Sequence, residues 1–339
     1  MFDRPFRRSS NPSGRVFSFL HRWLGAPSAV LLVALAISGC AAPAASAPQS
    51  TAEPSAAATQ AAGAFPLTVT DDEGTAVEVS ARPERVVSLT PASTEVLFAI
   101  GAGDRVVATT DADDYPPEAV PLPDVASFGS VDVERIVELE ADLVIAGGNS
   151  FTPPDAIASM RELGMPVVVV YAATVEAVMD DVELIGAAVG SSAEATAVAD
   201  QMRTEIEAIG AALGDAPRPR VFYEIDASTG LFGPADDSFL AEMIELAGGE
   251  PITTGSRLSF EMDLERLVSA DPEVIVLGDI AFGVTPDQVA QRPAWDVMTA
   301  VRTGAIRGVD DKLVTRPGPR LPAGLRSLAL AIHPDARLP

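Results

Sequence analysis

One uninterrupted helical pattern in the middle of the chain constrains the fold more than any other feature. Residues 191–214 contain no proline, and Ser191 or Ser192 suits the start of a helix while Gly214 suits its end. The apolar residues recur at intervals of three and four, the spacing of one helix face: Val198, Met202, Ile206, Ile209 and Leu213. Such a helix would be about 36 Å long, which is long for a crossover inside one sheet domain. We therefore expect a stiff helix that joins two lobes.

Strand and helix signals alternate on both sides of this helix. A hairpin comes first, with alternating residues 67–69 and 77–79 around a turn at Asp72-Glu73-Gly74. The later strand signals are Arg85–Leu89, Val106–Thr109, Asp142–Ala146, Val167–Val170, Arg220–Ile225 and Glu273–Leu277. This alternation predicts an α/β fold with mainly parallel sheets, which the long helix would divide into two Rossmann-like lobes.

A helix-then-strand unit occurs twice, once in each half of the chain. Residues 131–137 and 262–268 share an Asp-x-Glu-Arg pattern, 131 residues apart, and both lead into a strand. Aspartate caps helices well, so the repeat also has a purely architectural explanation. Its symmetric placement around the long helix supports one lobe on each side.

The first 40 residues form an export signal. Five arginines precede a short apolar run, Ala29–Ile37, which falls short of the roughly 20 residues of a membrane-spanning helix. Ile37-Ser38-Gly39-Cys40 resembles the lipobox of bacterial lipoproteins, and that resemblance implies a diacylglycerol on Cys40. We expect a signal peptide at 1–39, a flexible Ala/Pro/Ser tether at 40–64, lobes at 65–190 and 215–339, and the connecting helix at 191–214.

Composition excludes several functions. The net charge of −25 opposes binding to nucleic acid, and Cys40 is the only cysteine, so no intrachain disulfide can form. Two histidines are too few for a zinc site of the usual kind, and no metal is expected. Asp111–Asp114 resembles the start of a calcium loop, but Pro116 and Leu122 stand where its glycine and glutamate belong. No Gly-x-Ser-x-Gly elbow or phosphate loop occurs, so the chain is not expected to be an enzyme.

The order of several short motifs resembles the class III substrate-binding lipoproteins of ABC transporters, which capture vitamin B12, iron–siderophores or haem. These motifs are the two Asp-x-Glu-Arg units, Arg85–Pro91, Asp114–Pro116, Ala126–Gly129, Ala247–Gly249 and Arg316–Leu321. The resemblance covers roughly residues 83–335. It implies a ligand cleft between the two lobes, and a monomer that is held outside the cytoplasm by its lipid and has no cofactor. The implied partners are a permease dimer and the cytoplasmic ATPase of that permease.

The resemblance also assigns roles to particular residues. Glu134 and Glu265 would dock onto basic sockets of the permease, although both also suit an ordinary first helical turn. The cleft residues, expected on loops at the carboxyl ends of strands, are Pro91, Ser93, Tyr115, Phe128, Tyr223, Phe232, Phe260, Trp295 and Arg316. Phe128 resembles a tryptophan that stacks on the ligand in a vitamin B12 binder. Tyr223 and Trp295 are equally compatible with core packing, and Arg316 with a loop-stabilising ion pair.

The ligand is the least constrained part of the prediction. We expect cobalamin or another corrinoid, with a ferric siderophore as the alternative. Ala112 and Ser259 stand where the vitamin B12 binder has aromatic residues, so the exact ligand stays open. Few side chains in this sequence could serve as an axial ligand of haem iron, although Tyr115 and Tyr223 remain possible. A lipid-anchored ligand sensor without transport is a more distant possibility.

Overall fold

The computed structural model describes residues 64–339. The predicted signal peptide, most of the tether and the lipidation site Cys40 lie outside the described residues, so those predictions stay untested. The boundaries assigned to the segments and lobes also stay predictions.

Strands and helices alternate through the described part of the chain. The strands are β1 Leu67–Thr70, β2 Ala76–Val79, β3 Val86–Ser88, β4 Val106–Thr110, β5 Asp124–Ser127, β6 Ser130–Val131, β7 Leu143–Gly147, β8 Val167–Val170, β9 Arg220–Glu224, β10 Glu250–Pro251, β11 Val274–Leu277 and β12 Ile306–Gly308. The helices are α1 Pro91–Ala99, α2 Val133–Glu138, α3 Pro154–Glu162, α4 Val175–Val189, α5 Ser192–Leu213, α6 Phe239–Leu246, α7 Leu264–Ala270, α8 Pro286–Ala290, α9 Thr299–Thr303, α10 Asp311–Thr315 and α11 Leu321–Ile332.

Two sheets with the same core topology form the two lobes. The N-terminal lobe has strand order β6-β5-β4-β3-β7-β8, and the C-terminal lobe has order β10-β9-β11-β12. Within these two sheets, neighbouring strands run parallel, except for the antiparallel pair β5-β6 at one edge of the N-terminal sheet. The predicted α/β fold with two mainly parallel lobes is confirmed, and the predicted hairpin is β1-β2.

The sequence repeat has the same local geometry in both lobes. Asp132 caps α2 and Asp263 caps α7, and each side chain accepts a hydrogen bond from the backbone N–H three residues on, at 2.9 and 2.8 Å. Both units then turn through a left-handed residue, Glu140 at φ 51° and Asp271 at φ 48°. The strands that follow, β7 and β11, occupy equivalent central positions in their sheets.

Helix α5 is the predicted long helix, and its 22 residues correspond to about 33 Å. Its predicted apolar face is confirmed, with Met202 and Ile209 buried. It packs closely along α4, because a Cβ atom at Gly186 of α4 would lie only 2.2 Å from the Ala195 Cβ atom of α5. Arg203 of α5 reinforces this packing with ion pairs to two glutamates of α4.

The hydrophobic core has a part that belongs to both lobes. Val182 and Leu97 from the N-terminal lobe, Ile209 from α5, and Met243 and Leu328 from the C-terminal lobe fall in one buried cluster. Further clusters lie within single lobes, one among the strands and helices of each sheet. The lobes are therefore joined by continuous apolar packing as well as by the chain itself. None of the helices in residues 64–339 combines the length and apolar character of a membrane span.

Candidate ligand cleft

Aromatic side chains are exposed on the loops that follow four parallel strands of the N-terminal lobe. They are Tyr115 after β4, Phe128 after β5, Phe151 after β7 and Tyr171 after β8. Carboxyl ends of parallel strands meet at one edge of a sheet, where α/β proteins bind ligands. This edge of the sheet therefore exposes apolar surface to water, and its burial against a ligand would be favourable.

The exposure of Phe128 follows from a tight turn. Ser127 pairs with Ser130, so Phe128 and Gly129 form a two-residue hairpin connection between β5 and β6. Gly129 has φ 74°, a left-handed conformation that glycine adopts without steric cost. The turn leaves the Phe128 side chain 96% exposed, at the same edge of the sheet as Tyr115 and Phe151.

The C-terminal lobe exposes apolar side chains at its own carboxyl-end loops. Leu258 and Phe260 come from the loop after β10, while Ile280 and Phe282 come from the loop after β11. Phe282 is 89% exposed. Of these four residues, only Phe260 is predicted from the sequence.

A cavity of about 490 Å³ lies between the loops of the two lobes. Its lining residues are Asp114, Tyr115, Ile280, Ala281, Asp310, Lys312 and Arg320. The Arg320 guanidinium lies over the Tyr115 ring, 4.3 Å from its centroid, so one wall of the cavity joins an aromatic side chain of one lobe to a cation of the other.

Five charged residues connect the lobes beside this cavity, and we call them the interlobe ion network: Glu95, Asp114, Lys312, Arg316 and Arg320. Glu95 of α1 accepts a hydrogen bond from Arg320 Nε at 2.8 Å and pairs with Arg316 at 3.4 Å. Asp114 pairs with Arg316 at 2.6 Å and also with Lys312. Arg316 thus takes part in ion pairs, the alternative weighed for it in the sequence, and its predicted ligand contact stays untested.

The network sets the charge state of its members. Burial of Asp114 favours the neutral acid, but hydrogen bonds and positive charge from Lys312 and Arg316 outweigh it and lower the pKa to about 2. The hydrogen bond to Glu95 raises the pKa of Arg320 above its ordinary value. Asp114 and Arg320 therefore stay charged through the physiological pH range.

Three predicted cleft residues are buried instead, which corrects their assignment. Tyr223 is fully buried in β9 and its hydroxyl donates to Asp311 Oδ1 at 2.8 Å. Trp295 is 4% exposed in the core of the C-terminal lobe, under the Arg292 guanidinium. Ser93 is 1% exposed and its hydroxyl bonds to that of Thr90 at 2.8 Å. For Tyr223 and Trp295 this is the core packing that the sequence also allowed.

The other predicted cleft residues remain compatible with the site. Pro91 begins α1 and is half-buried, as is Phe232, whose backbone bridges Asp226 and Glu261. Phe260, Tyr115 and Phe128 are exposed at carboxyl-end loops, as expected.

A buried acidic pair lies at the end of the C-terminal sheet. Glu224, the last residue of β9, accepts two hydrogen bonds from Arg292, one of them at 2.8 Å. Asp279 follows β11 and is 2% exposed, and within residues 64–339 neither of its carboxylate oxygens has a hydrogen-bond partner. Burial and the charge of Glu224 raise the pKa of Asp279 to about 6. The segment Ile280–Phe282 follows Asp279 directly in the chain.

The two predicted docking glutamates are exposed in the first turns of α2 and α7. Their equivalent positions agree with the repeat, but docking itself stays a prediction. No group of three histidine, cysteine or acidic side chains in the described part of the chain could hold a metal ion. His333 faces the Gly248 carbonyl oxygen at 3.1 Å.

Comparisons with known proteins agree with this architecture. A family model described as "Periplasmic binding protein" matches residues 86–313. The chain is 31% identical to the uncharacterized ABC transporter substrate-binding lipoprotein YvrC of Bacillus subtilis, over 91% of this chain and 96% of YvrC. It is 32% identical to a cobalamin-binding protein of Halobacterium salinarum, over 93% of this chain and 86% of that protein.

Solved structures show the same fold. The periplasmic vitamin B12 binding protein BtuF of Vibrio cholerae has a TM-score of 0.66 at 25% identity, covering 74% of this chain and 97% of BtuF. The periplasmic heme-binding protein RhuT from Roseiflexus sp. RS-1 also has a TM-score of 0.66, at 26% identity, covering 75% of this chain and 99% of RhuT.

Proposed function

Because the chain belongs to the periplasmic binding protein family, we propose that its cleft captures cobalamin or another corrinoid for an ABC importer. The coarser role follows from membership: the chain is the extracytoplasmic substrate-binding component of an importer of the vitamin B12, iron–siderophore and haem type. It is not an enzyme, and its partners are a permease and an ATPase.

The exposed apolar surface at the carboxyl ends of the strands carries the proposal. Tyr115, Phe128 and Phe151 on one lobe and Phe260 and Phe282 on the other offer broad apolar contact. A corrin is a large ring system whose faces need such contact, whereas a small polar solute does not. The relatives named as binders of cobalamin and vitamin B12 support the same choice.

Haem and ferric siderophores are the competing ligands. Tyr223 is buried and unavailable as a haem ligand, which leaves Tyr115 of the two tyrosines considered from the sequence. Tyr115 lies against the Arg320 guanidinium, so a haem would have to displace or share that contact. Corrinoid binding makes no such demand because cobalt brings its own axial ligands.

Titration calorimetry of the purified chain with cyanocobalamin, dicyanocobinamide, hemin and ferrichrome tests the proposal. We expect one-to-one binding of the corrinoids at submicromolar concentration and at least tenfold weaker binding of the other two. Tight binding of ferrichrome or hemin without corrinoid binding would assign the cleft to that ligand instead.

The membrane anchor is proposed from the sequence around Cys40. A diacylglycerol on this residue would attach the protein to the membrane, and residues 41–63 would act as the tether. The relative YvrC, which is named a substrate-binding lipoprotein, supports this arrangement.

Docking to the permease is proposed through Glu134 and Glu265. Both carboxylates are exposed, both follow a capping aspartate, and they belong to equivalent units of the two lobes. A permease dimer has twofold symmetry and could offer one basic socket to each.

A further inference from the structure

Glu95 lies at the centre of the interlobe ion network, yet it does not line the cavity. Its side chain is 1% exposed on α1 of the N-terminal lobe. Its carboxylate is hydrogen-bonded by Arg320 Nε and by Arg320 Nη2, at 2.8 and 2.5 Å, and pairs with Arg316. Both arginines belong to the C-terminal lobe, so the charge of this buried carboxylate is compensated entirely across the lobe boundary in the described residues.

Separation of the lobes would leave that carboxylate without its partners. Opening would break the two charge-assisted hydrogen bonds from Arg320 and the pair with Arg316 together, and bonds of this kind are about twice as strong as hydrogen bonds between neutral groups. Asp114 contributes less, because its side chain is 43% exposed and water can replace Lys312 and Arg316. The resistance of the network to opening therefore depends mainly on Glu95.

The network also fixes one wall of the cavity. Arg320, held by Glu95, lies over the Tyr115 ring, and both residues line the cavity. The chain around Gly318 touches α1 directly, because a Cβ atom there would lie 3.4 Å from the Ala92 carbonyl oxygen. Loss of the Glu95 charge would release Arg320 and the aromatic face that it covers.

From this geometry we infer that Glu95 is a positioning residue that holds the two lobes at binding distance before any ligand arrives. The ligand then binds a cleft that is already assembled and loses little free energy to reorganisation. The shared apolar core and α5 hold the lobes together at the same time, but packing of that kind is less directional than bidentate ion pairs. The effect on ligand affinity rests on the proposed function, whereas the effect on lobe spacing does not.

The direct test is Glu95→Gln, which keeps the shape of the side chain and removes its charge. Spin labels at Glu138→Cys and Ser269→Cys would report lobe spacing, since these exposed residues occupy equivalent places on α2 and α7. Cys40→Ser removes the only native cysteine, so labelling is specific. Pulsed electron paramagnetic resonance without ligand should show one narrow distance distribution, and Glu95→Gln should broaden it and add longer distances.

Asp71→Asn is the matched control. Asp71 is also a buried carboxylate paired with an arginine, Arg161 at 2.8 Å, but both residues lie on the same side of the lobe boundary. The control should lower the thermal unfolding midpoint while leaving the distance distribution unchanged. If Glu95→Gln acted only through a general loss of stability, the distance distribution would broaden equally in both variants, and that result would overturn the inference.

A second variant keeps the inference testable if Glu95→Gln does not fold. Asp114→Asn removes the exposed arm of the network and should fold, with a smaller broadening than Glu95→Gln.

If Glu95→Gln leaves a tenth of the molecules with assembled lobes, the apparent ligand affinity should fall about tenfold. A folded Glu95→Gln variant with the wild-type distance distribution would show that the core and α5 alone set the spacing. Altered spacing without corrinoid binding in either protein would refute the ligand assignment and leave the positioning role intact.

Discussion

Truncation of Phe128 isolates the contribution of the exposed aromatic surface to ligand binding. The side chain is 96% exposed, so nearly all its area is available for contact. A buried aromatic residue covers about 150–250 Å². Contact through one ring face would remove about 100 Å² from water, or about 2.5 kcal/mol at about 25 cal/mol per Å². Phe128→Ala should therefore weaken corrinoid binding about 70-fold.

Titration calorimetry with cyanocobalamin measures this loss directly. The thermal unfolding midpoint should not change, because the side chain makes little contact within the folded chain. Leu163→Ala is the matched control: Leu163 is 61% exposed but follows α3, at the edge of the sheet opposite the cleft. Equal affinities for wild type and Phe128→Ala would refute the stacking role of this residue.

Three further predictions concern docking, anchoring and acid–base behaviour. Reversal of both docking charges, Glu134→Arg with Glu265→Arg, should abolish corrinoid uptake but preserve soluble binding, and normal uptake would show that these residues are only first-turn acids. Cys40→Ser should prevent incorporation of labelled palmitate and release the protein from membranes, whereas continued labelling would refute the lipobox. Burial, and after it the nearby carboxylates, raise the pKa of Asp181 to about 9. Between about pH 4 and about pH 9 the folded state therefore holds a proton that the unfolded state has lost, so the free energy of unfolding falls as pH rises through this range. Denaturant unfolding at pH 5 and pH 8 should show a weaker pH dependence in Asp181→Asn but not in the exposed control Asp155→Asn, and an unchanged dependence in Asp181→Asn would contradict this assignment.

The architecture was predictable because it depends on periodic patterns. The apolar spacing through Met202 and Ile209 identified α5, and the capping aspartates marked the equivalent helices α2 and α7. These signals are local, and each one is repeated along an element. The fold follows from them without knowledge of distant contacts.

The cleft was only partly predictable because its loops lack the repeating pattern of apolar residues that marks helices and strands. Phe151, Tyr171 and Phe282 were missed, although each stands shortly after the carboxyl end of a strand, which is the signal that could have found them. Tyr223 was misassigned because an aromatic residue near a strand end suggests a cleft. The continuous run Val221-Phe222-Tyr223 instead indicates a parallel strand covered on both faces.

The interlobe ion network was beyond prediction from the sequence. Glu95 and Arg320 are 225 residues apart, and no local pattern connects them. Only the folding of two lobes around α5 brings their charges into contact.

Native mass spectrometry of the chain mixed with equal amounts of cyanocobalamin, hemin and ferrichrome tests the central claim most directly. The account predicts one species heavier than the free chain by a single cyanocobalamin, with this species reduced in Phe128→Ala and retained in Leu163→Ala. A spectrum in which the chain carries hemin or ferrichrome, or remains free at saturating corrinoid, would contradict the claim that the cleft is built for a corrinoid.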